Sequence, residues 1–200
     1  MNALVERLLA RYARGEAEAV ADYVVGARVL DVGSAEAWVP EALARRTSVF
    51  TCGVDVGLYR RARVPYAVYD GRRLPFADGA FDTTLVLLTL HHCEAPEAVL
   101  DEAVRVTRHR LVVTESVYRT RLERFWLERL DGRVNRFRHG GAMRPALGFR
   151  PPDEWRRLFE ARGLTIVATR WLGSALERLV HHPLLFALDT RTAQNGRASS

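Results

Sequence analysis

The chain has 200 residues, 48% of them apolar, enough to bury one domain's core without disulfides or metal staples. Its formal net charge is +6, but all 30 basic residues are arginine and they are scattered rather than massed in a stripe, so the charge does not by itself indicate nucleic acid. Cys52 and Cys93 fall in apolar segments and read as reduced thiols, and the charge-interrupted start MNALVERLLARYARGEAEAV lacks the apolar run of a signal peptide or membrane span, so a cytoplasmic protein with no bound metal is expected.

Residues 3–23 set Leu4, Leu8 and Tyr12 at steps of four beside Val5 and Leu9, the apolar face of a helix that should pack on the domain. Arg28-Val29-Leu30-Asp31-Val32 reads as a strand running into the tight turn Gly33-Ser34, with a helix over 36–46 that carries Pro40 in its first turns. The pattern repeats. Residues 49–54 predict a second strand ending at Asp55, 66–69 a third ending at Asp70, and 83–90 a long apolar fourth running into His91-His92. Pro96 opens a helix with the stripe Val99, Leu100, Ala103 and Val104, and 111–114 follow as a fifth strand.

A helix over 119–130 carries Leu122, Phe125, Trp126 and Leu130 on one side and should cap the sheet's edge. Residues 131–152, rich in Gly, Arg and Pro, read as a long surface loop. A helix over 153–162 and strands over 164–170 and 184–188 complete the pattern. Strands alternating with helices predict an α/β, Rossmann-like, doubly wound sheet of seven mostly parallel strands with helices on both faces. One domain is expected over 1–190, divided into an N-terminal helix (1–24), a cofactor-binding core (25–115), a helix and long loop over the acceptor side (116–152), and a C-terminal helix and hairpin (153–190), with a disordered tail at 191–200.

Ligands of such sheets bind beyond the carboxyl ends of the strands, where strand order reverses. Four predicted strands end there in polar or small residues: Asp31 and Gly33-Ser34-Ala35, Asp55, Asp70-Gly71, then Thr89 and the two histidines. A turn of small residues lets backbone amides approach a ligand closely, and a carboxylate after the second strand can accept both ribose hydroxyls.

These residues carry a resemblance. Val29-Leu30-Asp31-Val32-Gly33-Ser34 resembles the first motif of class I S-adenosylmethionine-dependent methyltransferases, of the methyltransferase type 11-like kind, in which an acid stands two residues before the first glycine of a GxGxG turn. Asp55 matches the acid that family uses on the ribose, and Asp70, in Tyr69-Asp70-Gly71-Arg72-Arg73-Leu74-Pro75-Phe76, matches its contact to the adenine amino group. Phe81-Asp82-Thr83 through Leu90-His91-His92 is similar to the fourth strand of the subgroup that includes quinone-biosynthesis methyltransferases. The resemblance spans about residues 25 to 115 and implies S-adenosyl-L-methionine as cofactor, held by Asp31, Gly33, Ser34, Ala35, Asp55, Val56, Asp70, Gly71, Arg72 and Thr89, with methyl transfer to a small-molecule acceptor.

One departure stands inside the motif, where Ala35 and Ala37 replace the second and third glycines. Alanine resists positive φ, and its methyl group takes up space where the cofactor would approach. A non-catalytic methyltransferase-fold binding or partner subunit is therefore the alternative. RNA methylation through the arginine loop is a weaker third reading, and a nicotinamide site is disfavoured because GxGxxG would need glycine at Ala35 and Trp38.

His91 and His92 read first as shaping the site, since methyl transfer needs mainly alignment and a shielded pocket. The alternative is a general base, and at most one of them should then face the pocket, because neighbouring strand residues point to opposite sides. His181-His182 reads as structural, and no third ligand stands at metal-binding spacing. Arg133, Arg136, Arg138 and Arg144, with Phe137 and His139, make either a solvated basic loop or a lid over an anionic acceptor. Tyr118 and Trp126 read as core or as walls of an acceptor pocket. Oligomeric state is not legible in the sequence.

Overall fold

A computed structural model describes residues 3–129, 148–173 and 182–190 of the chain. The arginine-rich part of the loop, from 131 to 147, His181 and the tail at 191–200 lie outside the described residues. β1 (Arg28–Val32), β2 (Phe50–Asp55), β3 (Tyr66–Val68), β4 (Phe81–Leu87), β5 (Thr107–Ser116), β6 (Thr165–Trp171) and β7 (Pro183–Asp189) form one sheet in the order β3-β2-β1-β4-β5-β7-β6. Pairs from β3 to β5 are parallel, and β7 runs antiparallel to both β5 and β6. The expected doubly wound, mostly parallel sheet of seven strands is what forms.

Strand alternation divides the core in two. Leu30, Val32, Val86, Leu111, Val113, Leu184 and Phe186 join one cluster, which α3 (Pro96–Val106) covers with Val99, Leu100, Ala103 and Val104 and α5 (Pro152–Glu160) with Trp155 and Phe159. Their neighbours Val29, Leu85, Val112, Leu185 and Ala187 point the other way, toward α1 (Ala3–Ala21) and α2 (Trp38–Thr47), which supply Ala17, Val20 and Leu43. With both faces covered, the central strands are apolar on both sides.

Three local expectations are corrected. The packing face of α1 is the small-residue line Ala13, Ala17 and Val20, while Leu8 and Tyr12 are 57% and 43% exposed, because small side chains let α1 lie close against α2. The fourth strand stops at Leu87, since Leu88 takes φ 51° and turns the chain into a 3-10 turn at Leu90–His92. Helix α4, over residues 121–129, buries Leu127 but exposes Leu122, Phe125 and Trp126, so the side expected to cap the sheet faces outward.

Trp155, Phe159 and Phe186 pack ring against ring under α5, with centroids 6.0 and 5.2 Å apart. Phe159→Ala should therefore cost about 3–5 kcal/mol in urea unfolding, as removal of a fully buried ring does. A loss below 1 kcal/mol would mean that α5 does not anchor this face.

Candidate functional site

The strand order reverses between β1 and β4, and the crevice lies beyond their carboxyl ends. The turn after β1 is pinned there by backbone bonds, with the Gly33 and Ser34 N–H groups both donating to the Val54 carbonyl, at 2.9 and 3.2 Å. A Cβ on Gly33, at φ +74°, would overlap the Thr89 side chain, so only glycine lets the two strand ends close. Thr89 in turn donates its hydroxyl to the Val32 and Leu87 carbonyls, at 3.3 and 2.9 Å.

The alanines adopt the backbone of the glycines they replace. Gly33, Ala35 and Ala37 have φ of 74°, 46° and 63°, all in the left-handed region. This corrects the expected start of α2: Ala37 is its left-handed N-cap, so the helix begins at Trp38 rather than at Glu36. The Ala37 methyl is buried against Ala62 and Val64, with Tyr66 and Trp38 packed beside them. It therefore fills a gap under the 57–65 segment. Further bonds hold the turn in this shape: the Ala35 N–H donates to Asp55 Oδ2 at 2.8 Å, the Tyr66 hydroxyl to the Ala35 carbonyl at 3.1 Å, and the Ala37 N–H to the Ser34 carbonyl at 2.8 Å.

Asp31 is 3% exposed and accepts the Ser34 hydroxyl at 2.7 Å. Burial pushes its carboxyl up to about 7, the Ser34 bond opposes this, and the Asp55 charge adds to it. Asp55, 6% exposed, is also pushed up by burial, opposed by the amides of Ala35 and Val56 and aided by the charge of Glu36. Glu36 is itself 6% exposed, so three buried acids surround one turn of a protein whose net charge is +6. Such a site gains from a cation or from hydroxyl donors.

Beyond the end of β3, a Cβ on Gly71 would just touch Val56, which is 57% exposed. Asp70 is fully exposed, and its carboxylate accepts the amides of Arg72 and Arg73 at 2.8 and 2.9 Å, which hold it below the usual carboxylate range. The structure thus brings Asp31, Gly33, Ser34, Ala35, Asp55, Val56, Gly71 and Thr89 around one crevice, while Asp70 and Arg72 form an exposed turn at its edge.

His91 and His92 leave the rim in the 3-10 turn, which removes the strand alternation expected to separate them. His91 is 3% exposed; its Nδ1 lies 2.5 Å from Glu115 Oε2 and its ring stacks on Phe149 at 4.8 Å. The other oxygen of Glu115 accepts the Leu90 N–H at 2.7 Å. His92 is half-buried against the His91 ring. Beside them the Cys93 thiol is pushed up to about 12, by burial and then by the charges of Glu115 and Asp55. Glu115 and Tyr66 escaped the sequence reading. A carboxylate directly after Leu111-Val112-Val113-Thr114 was the available signal for the first, because a charge in a buried strand needs a partner.

The fold is that of a Rossmann-like domain, with an acid at the end of β2 and a left-handed turn after β1. Residues 30–111 match the methyltransferase domain family. It is 31% identical over 102 residues to a demethylmenaquinone methyltransferase of Paenarthrobacter aurescens, a match covering 47% of this chain and 40% of the relative, so the chain spans well under half of that relative's length. Among solved structures it is similar to the methyltransferase in complex with the Haloferax volcanii Trm112 methyltransferase activator, with TM-score 0.70, 15% identity and 92% of each chain covered. It is also similar to geranyl diphosphate C-methyltransferase from Streptomyces coelicolor A3(2) in complex with S-adenosyl-L-homocysteine, with TM-score 0.67, 15% identity and 88% and 75% of the chains covered.

Three variants test the stability of this turn. The folded chain holds the Asp31 proton more tightly than the unfolded chain, whose carboxyl titrates near 3.8. The stability contributed by this group is thus full below about pH 4 and falls by about 4 kcal/mol as pH rises to about 7. Asp31→Asn should unfold at higher urea than the wild type at pH 8, with most of that advantage gone at pH 4; a pH-independent difference would contradict the assignment. Ala35→Gly should be neutral or stabilise by up to about 1 kcal/mol in thermal melts, because relief of left-handed strain exceeds the added chain entropy. Ala37→Gly also loses a buried methyl group, worth about 0.8 kcal/mol, and should leave the melting temperature nearly unchanged.

Proposed function

We propose that this protein is a methyltransferase that uses S-adenosyl-L-methionine and modifies a small-molecule acceptor. The observation that carries this reading is the left-handed turn Gly33–Ala37 closing over the buried carboxylates of Asp31 and Asp55. The cofactor is a cation, with a sulfonium and an ammonium group, and three buried acids favour positive charge. A dinucleotide would instead bring a pyrophosphate against them.

The residues fit the group. Each oxygen of Asp55 accepts one amide, from Val56 and Ala35, and keeps a second lone pair for a ribose hydroxyl. Val56 and Gly71 offer an apolar wall for the adenine, and Asp70 stands near enough in the chain to reach its amino edge. Ser34, Ala35 and Thr89 stand beside the turn after β1, and Arg72 would reach the ligand from the exposed turn at the edge. When bound, the cofactor supplies an electrophilic methyl on sulfur, and the chain's task is to align the acceptor and exclude water. At most one of His91 and His92 acts as a general base; the half-exposed His92 is the candidate, because Glu115 and Phe149 hold His91. The similarity to a demethylmenaquinone methyltransferase makes demethylmenaquinone the first acceptor to test.

The second reading, a methyltransferase-fold partner subunit without catalysis, is favoured by one observation: Asp55 Oδ2 already bonds the turn's own amide. Isothermal titration with S-adenosyl-L-homocysteine separates the two, and no heat at millimolar ligand would leave the partner reading. Asp55→Ala should weaken binding by about 1–3 kcal/mol, as loss of a charge-assisted partner does. It should also speed hydrogen exchange at the Ala35 and Val56 amides. Unchanged affinity together with faster exchange would mean that Asp55 serves the turn alone.

A further inference from the structure

Helix α4 presents an apolar stripe away from the domain. Leu122, Phe125 and Trp126 are 66%, 46% and 53% exposed, whereas Leu127 is 2% exposed. Spacing of three and four residues places the exposed three on one side of the helix and Leu127 on the other. Phe125 and Trp126 pack edge to face, with centroids 5.5 Å apart, so they form one continuous surface.

Positive charges dominate around the stripe, because its arginines outnumber its acids and the acids are paired. By helical position Arg121 and Arg129 border it, Arg129 lying over the Phe125 ring at 4.9 Å, and Arg119 stands at the helix start over Trp171 at 5.1 Å. The two acids of the helix are otherwise engaged. Glu123 accepts the Arg119 and Thr120 amides as the helix cap, and Glu128 pairs with Arg124 at 2.7 Å. Arg119, Arg121 and Arg129 have no carboxylate partner among the described residues.

We propose that α4 docks on an anionic phospholipid surface, with its axis in the plane of the membrane. Leu, Phe and Trp flanked by arginine suit the boundary between acyl chains and headgroups, where the rings sit in the apolar layer and the guanidinium groups meet phosphates. A second copy of this chain fits less well, because apposed stripes would bring arginines together in a protein of net charge +6. Single-stranded nucleic acid fits less well because the most exposed member, Leu122, is aliphatic and offers no stacking face. The docking does not depend on the methyl-transfer reading, and a chain that binds no cofactor should still dock.

The test is flotation of the full chain with vesicles of phosphatidylcholine alone or mixed with phosphatidylglycerol. The chain should float with the mixed vesicles, far less with phosphatidylcholine alone, and less as salt is raised. The double variant Phe125→Glu, Trp126→Glu should stay at the bottom of the gradient while melting like the wild type, since both side chains are exposed. Arg121→Ala should weaken partitioning about fivefold, the effect of one arginine near a charged surface. Flotation of the double variant at the wild-type level would overturn the proposal. So would wild-type chain that ignores mixed vesicles, whether it dimerises through Phe125 or binds a single-stranded oligonucleotide instead.

Discussion

To pass from β1 to α2 the chain must reverse within five residues, and the Asp55 carboxylate holds that path in place. One of its oxygens accepts the Ala35 amide and the other the Val56 amide. The end of β2 is thereby tied to the middle of the turn after β1. Gly33 leaves room for Thr89 on the opposite side, so β4 closes the crevice from its own strand end. Loss of that clasp would free the turn, the start of α2 and one wall of the crevice together, because all three depend on the same few bonds.

The clasp has an electrostatic cost. Asp31, Asp55 and Glu36 are all nearly buried around the turn after β1, and desolvation raises the proton affinity of the first two. A group that binds there with positive charge and hydroxyl donors would recover part of what burial takes away. The acidity of this turn is distinct from the arginine-rich face of α4. The first would suit a cationic group, and the second is the face for which docking on an anionic surface is proposed.

Beyond the crevice the β4 rim follows a different physical logic. Leu88 leaves the strand at positive φ, a conformation uncommon for a residue with a side chain, and this turns His91 inward to Glu115. The Glu115 carboxylate, bonded at once to the His91 ring and the Leu90 amide, fixes the orientation of the 3-10 turn. Phe149 covers the ring from the far side, so the segment after the long loop helps to build the β4 rim.

The sequence by itself determined the sheet and its order of appearance, because short continuous apolar runs and stripes at helical spacing are local patterns that survive without knowledge of neighbours. Asp31, Gly33 and Asp55 were legible because they stand at or just beyond strand ends where polar or small residues interrupt the apolar run. Several outcomes were decided only by tertiary structure. Ala35 and Ala37 hold left-handed φ against their own preference because Asp55, Tyr66 and the Ala62–Val64 contact outweigh it. Helix α1 turned its small residues inward and α4 its large ones outward, since which stripe is buried depends on the shape of the opposing surface and not on hydrophobicity alone. His91 found Glu115 across 24 positions of sequence, a pairing that no local pattern encodes and that exists only because β4 and β5 are neighbours in the sheet.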